Sequence, residues 1–110
     1  NSAPATSSMN YSVEILPQAL DNIESAYRWM ANNFSPERAE QWYDELMTAV
    51  RSLEQFPYRA SQAPETAEIE LDIRQLFVGK GRQYRLLFVI DKGRVFILYV
   101  RHSSQSWLSQ

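Results

Sequence analysis

Residues 84–102 decide the fold, and they read Tyr-Arg-Leu-Leu-Phe-Val-Ile-Asp-Lys-Gly-Arg-Val-Phe-Ile-Leu-Tyr-Val-Arg-His. Two apolar runs rich in β-branched and aromatic residues flank Asp91-Lys92-Gly93, a stretch that is typical of a hairpin turn. The pattern therefore predicts two antiparallel strands, from Tyr84 to Ile90 and from Val95 to Val100.

The residues upstream predict two more strands. Ile69 to Val78 is apolar enough for a strand, and the basic turn Gly79-Lys80-Gly81-Arg82 joins it to the hairpin. These three strands should form an antiparallel meander. Near the start of the chain, Tyr11, Val13 and Ile15 alternate with polar residues, which predicts a half-buried strand at an edge of the same sheet.

Two helices are predicted between the first strand and the meander. Pro17 opens the first, whose apolar stripe is Leu20, Ile23, Tyr27 and Met30 and which runs to about Asn32. Ser35-Pro36-Glu37 is a helix start, and Pro57 closes this second helix. Residues 57–68 then form a loop. The predicted fold class is α+β, in the order β-α-α-β-β-β, an antiparallel sheet with a two-helix hairpin packed on one face.

The strand from Val95 to Val100 is apolar on both of its faces. Two helices can cover only one face of a sheet. The other face is therefore expected either to curl on itself or to offer an apolar surface to a partner chain. That partner could be a second copy of this chain, which would give a homodimer.

The composition of the 110 residues excludes several classes of site. There is no cysteine and only one histidine, so a disulfide framework, a thiol nucleophile and a cysteine-ligated metal are ruled out, and no cofactor is predicted. No apolar run approaches the ~18 residues of a membrane span, and no secretory signal is evident. We expect a cytoplasmic protein, with residues 1–8 a flexible tail or remnant and residues 9–110 one domain.

The net charge of −2 is unevenly distributed. Residues 1–68 hold four basic and ten acidic side chains, whereas residues 69–110 hold seven basic and three acidic ones. Strand pairing is expected to bring four of the basic residues close together, with Glu70 and Asp72 as nearby counter-charges. Two interpretations stay open, a phosphate-binding site and an internal ion-pair network. The four residues are Arg74, Lys80, Arg82 and Arg85.

His102 ends the last strand, on the face predicted to carry Phe96, Leu98 and Val100. It is either structural or a general acid–base group, because an ordinary imidazole titrates near neutral pH. Trp29, Trp42 and Tyr43 lie at helical spacing, which favours the core over a base-stacking surface. No acid completes a hydrolase triad with the serines after His102.

The chain resembles the RelE/ParE superfamily of toxins from type II toxin–antitoxin (plasmid stabilisation) systems, from Tyr11 to about His102. The resemblance is carried by the order and spacing of short stretches rather than by any single motif. They are Tyr11-Ser-Val-Glu-Ile-Leu, Leu53-Glu-Gln-Phe-Pro57, Ile73-Arg-Gln-Leu-Phe-Val78, Tyr84-Arg-Leu-Leu-Phe-Val-Ile-Asp91 and Val95-Phe-Ile-Leu-Tyr-Val-Arg-His102.

The resemblance implies a cognate antitoxin that covers the toxin and holds it inactive, and it implies one of two targets. A RelE-like member cleaves mRNA on the ribosome without a metal, and here Arg85 and His102 would be its catalytic residues. A ParE-like member inhibits DNA gyrase. The arginine and tyrosine that RelE-like toxins place after the last strand are missing, which favours the ParE-like branch; a non-toxic basic binding module is a further alternative. The residues expected to contact nucleic acid or another target are Arg74, Lys80, Arg82, Arg85 and Arg101.

Overall fold

The computed structural model describes residues 10–67 and 71–103. The predicted tail, residues 1–8, lies outside them, as do Glu70 and the serines after Ser103. The elements follow the predicted order, with one short strand added. They are β1 (Ser12–Ile15), α1 (Pro17–Asn33), α2 (Pro36–Ser52), β2 (Ser61–Gln62), β3 (Arg74–Val78), β4 (Tyr84–Asp91) and β5 (Arg94–His102).

The five strands form one sheet in the order β1-β5-β4-β3-β2. Strands β3, β4 and β5 are the predicted antiparallel meander, and β1 lies at the predicted edge. The sheet is nevertheless mixed, because β1 pairs with β5 in parallel, with Val13 opposite Val95. The fold is therefore α+β with a five-stranded mixed sheet.

The connection between α2 and β3 differs from the predicted loop. It contains the short strand β2 and two 3-10 turns, Pro57–Arg59 and Pro64–Ala67. Strand β3 begins at Arg74 rather than Ile69. The Thr66 hydroxyl donates to the carbonyl of Ile73 at 2.9 Å and accepts from its amide at 3.0 Å. Because the backbone of Ile73 is occupied in this way, regular strand pairing starts one residue later.

The helix hairpin covers one face of the sheet. Pro17 starts α1, and Ser35 caps α2, its hydroxyl accepting from the Arg38 amide at 3.1 Å. Leu20 does not join the predicted stripe, because it is 52% exposed and Ala19 is buried in its place. The buried residues of this core are Ala19, Ile23, Met30, Ala39, Trp42, Leu46, Val50, Leu86, Phe88, Val95 and Ile97, among others.

The prediction that three helix aromatics form core is correct only for Trp42, which is 5% exposed. Trp29 is 52% exposed and Tyr43 is 38% exposed. Both residues lie on the helices but outside the buried stripes, which are Ala19, Ile23 and Met30 in α1 and Ala39, Trp42, Leu46 and Val50 in α2. Helical spacing alone does not distinguish a core position from one at its margin.

The other face of the sheet, here called the outer face, is covered in part by the α2–β3 connection. Ala63 and Ile73 of this connection bury Leu87 of β4, and a second small core forms there. Val89, Leu98 and Tyr99 pack against it. The chain's own connection therefore provides part of the cover that the apolar strands were predicted to require.

A β-bulge in β5 reverses the predicted orientation of His102. Leu87 pairs with Tyr99 and Phe88 pairs with Ile97, so Leu98 has no opposite residue. The extra residue places Leu98 and Tyr99 on the same outer face. As a result, His102 lies on the helix face with Val100, and the prediction that it shares a face with Leu98 is wrong.

Candidate functional site

Arg85 is a buried arginine on the central strand, 5% exposed. Its Nη2 lies 2.6 Å from Glu65 Oε2 and its Nη1 lies 3.1 Å from Glu65 Oε1, a bidentate pair. Nη1 also donates to Gln75 Oε1 at 3.0 Å. Glu65 is itself only 2% exposed. For this residue the ion-pair interpretation describes the geometry, because two buried charges of opposite sign neutralise each other.

Arg74 has separate partners. Its Nη1 donates to the carbonyl of Ala60 at 2.8 Å, and its Nη2 lies 3.2 Å from Asp72 Oδ2. Asp72 is thus a counter-charge, as predicted. In the register of the sheet Arg74 is opposite Phe88, whereas Arg85 is opposite Phe77.

The four basic residues predicted to cluster therefore do not form one site. Phe88 belongs to the helix-side core and Phe77 lies three positions further along β3, so Arg74 and Arg85 point to opposite faces of the sheet. The expectation of one cluster was wrong because strand pairing alone does not decide the face. Lys80 lies in the 3-10 turn Lys80–Arg82 that leads to β4.

Arg82 and Arg101 join Arg85 on the outer face. Arg101 is directly opposite Arg85 in the register of β4 and β5. Each of the two stacks on an aromatic ring: the Arg82 guanidinium carbon lies 4.1 Å from the centre of Phe77, and that of Arg101 lies 5.2 Å from the centre of Tyr99. We call these two stacks the guanidinium–aromatic surface. Stacked guanidinium groups still offer their edges to anionic groups.

Arg101 carries an unused donor on this surface. Its Nε is buried and has no hydrogen-bond partner among the residues that the structure describes. Arg82 is exposed and adopts a left-handed backbone conformation, with φ of 55°. Within residues 10–67 and 71–103 neither Arg82 nor Arg101 forms an ion pair, so their guanidinium groups can bind an acidic group or phosphate.

The two residues expected to act together in RNA cleavage lie on opposite faces of the sheet. His102 pairs with Tyr84, whereas Arg85 pairs with Arg101 one position further along. On the helix side of the sheet, the edge of one ring faces the other where the His102 imidazole meets the Tyr84 phenol, and the two ring centres are 5.4 Å apart. Burial raises the pKa of the Tyr84 phenol above 10.0, so that it stays protonated. The structure does not bring Arg85 and His102 to one reacting phosphate.

Two partners of Arg85 were not identified from the sequence. Glu65 follows Pro64 in the stretch read as a loop, and Gln75 lies in β3. The available signal was an arginine among the apolar residues of a central strand, which requires a buried carboxylate. The sequence does not indicate which acid supplies it. Within residues 10–67 and 71–103, no group of acidic or histidine side chains is arranged to hold a metal ion.

The fold and site define a small α+β protein that displays Arg82 and Arg101 on the sheet face that the helices leave open. Residues 13–107 match the family described as ParE toxin of type II toxin-antitoxin system, parDE, and the chain therefore belongs to the ParE toxin family. Membership of this family implies an antitoxin as partner. In the part of the chain that the structure describes, no helix is long and apolar enough to cross a membrane.

A solved structure shares this fold. The chain is similar to one described as the chromosomal ParDE TA system from P. aeruginosa, with a TM-score of 0.70 and 16% sequence identity. The similarity covers 86% of this chain and 97% of that one. None of the curated proteins matches the sequence.

Proposed function

We propose that this toxin inhibits bacterial growth when it is freed from its antitoxin, and that it does so by a ParE-like action on DNA gyrase. The toxin class follows from the family match over residues 13–107. The observation that carries the choice of target is the state of Arg85. The residue that a RelE-like toxin would direct at phosphate is here buried with both terminal nitrogens on Glu65.

The chemistry of RNA cleavage supports the same choice. Attack by a ribose hydroxyl requires a base, a cation and an acid around a single phosphate. Arg85 and His102 lie on opposite faces of the sheet, so these two residues cannot act together on one phosphate. An inhibitor that acts by binding needs no such convergence.

The guanidinium–aromatic surface is the part of the toxin that we expect to contact the target. Arg82 and Arg101 provide charge, and Phe77 and Tyr99 provide apolar area. Aromatic and arginine side chains together are enriched where binding energy is concentrated in protein interfaces. Because gyrase lies in the cytoplasm, the proposal also places the toxin there. A plasmid-stabilisation locus is the kind of genetic context expected for it.

Pulse-labelling tests this proposal. The full chain is expressed from an inducible promoter in a bacterial host that lacks the antitoxin, and incorporation of labelled thymidine and methionine is followed separately. We expect DNA synthesis to fall first, and the purified toxin to inhibit supercoiling by gyrase. If protein synthesis falls first and mRNA is cut, the RelE-like alternative is correct. Normal growth would favour the non-toxic basic binding module.

A further inference from the structure

A cavity of about 470 Å³ lies between the junction of the two helices and the turn before β4. It is lined by the junction of the two helices, the turn before β4 and the end of the last strand, so three parts of the chain that are distant in sequence meet there. Its volume lies within the range of sites that bind small molecules. The aromatic rings that line it are Trp29, Phe34, Trp42, Tyr84 and His102.

One polar group in this cavity lacks a partner. Trp42 is 5% exposed, and its indole Nε1 makes no hydrogen bond within residues 10–67 and 71–103. The ring atom Cδ1, which is bonded to Nε1, lies 3.7 Å from the position of a β-carbon built on Gly79, another residue that lines the cavity. Leaving a buried donor unpaired is unfavourable. An occupant that carries an acceptor would relieve it.

The rim of the cavity exposes two large aromatic side chains to solvent. Trp29 is 52% exposed and Phe34 is 58% exposed, and their rings form an edge-to-face pair at 5.5 Å. The charged residues of the rim, Arg38 and Glu45, have opposite signs. Charge therefore does not select the occupant. Apolar contact and the single donor do.

We propose that this cavity receives an apolar side chain of the antitoxin, and that a main-chain carbonyl beside that side chain accepts the hydrogen bond from Trp42 Nε1. A peptide segment carries both features in adjacent groups, and the partner implied by the family is a protein. The proposal rests on the toxin role proposed above, but it does not depend on which target the toxin inhibits.

Binding of the purified antitoxin encoded by the adjacent gene tests the cavity. The matched variants of the full chain are Trp29→Ala and Leu20→Ala, since both residues lie on α1 and both are 52% exposed, but only Trp29 lines the cavity. We expect Trp29→Ala to weaken binding by about 10- to 100-fold and Leu20→Ala by less than about threefold. Equal affinities for the two variants would overturn the proposal.

Trp42→Phe tests the hydrogen bond separately. It keeps an aromatic ring and removes the N–H, so we expect antitoxin binding to weaken by about five- to tenfold. The free chain should lose thermal stability only through the smaller buried ring, because the donor that is removed has no partner within residues 10–67 and 71–103. In ¹⁵N spectra the Trp42 indole proton should move downfield when the antitoxin binds. An unmoved resonance, in a complex that forms, would contradict the assigned bond.

Two further outcomes separate this proposal from the proposed function. If the full chain is not toxic but Trp29→Ala still loses antitoxin, the cavity proposal stands and the growth-inhibiting function fails. If Trp29→Ala loses toxicity and keeps antitoxin affinity, the cavity serves the target and the proposal is wrong. Deleting residues 104–110 provides a last check: should this deletion alone shift the Trp42 indole resonance to its unbonded position, the chain's own C-terminal residues are the occupant.

Discussion

Arg85 and Glu65 form a bidentate buried ion pair, with Nη2 2.6 Å from Oε2 and Nη1 3.1 Å from Oε1. The pair joins the central strand of the sheet to the 3-10 turn Pro64–Ala67. Through this contact the α2–β3 connection is held against the outer face, where Ala63 and Ile73 bury Leu87. The arginine that most resembles a functional residue in the sequence thus also has a structural partner.

Replacing Glu65 should strongly destabilise the fold. Glu65→Ala leaves a guanidinium buried without its carboxylate, so we expect the free energy of unfolding to fall by about 3–5 kcal/mol. Urea denaturation followed by circular dichroism measures this loss. Glu54→Ala is the matched control, because Glu54 is exposed, and its effect should stay within about 0.5 kcal/mol. If the two variants were equally stable, the pair would have no structural importance.

The double replacement Glu65→Leu with Arg85→Met should recover most of that stability. Exchanging both buried charges for apolar side chains of similar size is often neutral or stabilising.

The same double variant tests the choice of target, because a ParE-like toxin should keep its toxicity without Arg85. Loss of toxicity in a variant that is still folded would instead favour the RelE-like alternative.

Asn22 should contribute to stability through one hydrogen bond to the sheet. Strand β1 pairs with β5 only as far as Ile97, and beyond that point the Asn22 side-chain oxygen accepts from the Val100 amide at 3.1 Å. Asn22→Ala leaves that amide without its partner, which should lower the free energy of unfolding by about 1–3 kcal/mol. Asn32→Ala, at an exposed position of the same helix, serves as control. Similar losses in both variants would argue against the bond.

Charge reversal on the guanidinium–aromatic surface should reduce toxicity. We expect Arg101→Glu combined with Arg82→Glu to weaken target binding at least about tenfold, because both a charge and a stacking contact are lost at each position. Growth after induction and inhibition of purified gyrase measure the effect. Arg59→Glu is the control: it reverses one charge in the turn Pro57–Arg59, away from this surface, and the variant should remain toxic. An unaffected double variant would place the target contact elsewhere.

Stability should decrease in alkaline solution partly through Tyr84. Burial raises the pKa of its phenol above the ordinary value of 10.0, so the unfolded chain loses this proton first as pH rises. The contribution of Tyr84 is therefore complete below pH 10 and is lost as pH rises through the folded-state pKa. The difference in free energy of unfolding between the wild type and Tyr84→Phe, constant from pH 7 to 9, should shift above pH 10 in favour of the variant. Parallel curves would contradict this.

The elements that local sequence predicted correctly are those in which local signals agree. Gly93 lies in the turn between two apolar runs and adopts a φ of 80° there, and Ser35 caps α2 as its sequence indicates. The errors are at places where a distant contact decides. Thr66 ends the irregular connection at Ile73, and the bulge at Leu98 reverses the faces of the residues that follow it.

The sequence by itself determined the order of the elements, the helix hairpin and the meander, because periodicity, capping and turn residues act over a few positions. The resemblance of several short stretches to RelE/ParE toxins indicated the family. Only the tertiary structure decided which basic residues share a face. A side chain's face depends on strand register and on every bulge before it, so one extra residue in β5 set His102 apart from Arg85's face. The choice of Glu65 as the partner of Arg85 likewise required the chain to fold back across 20 residues.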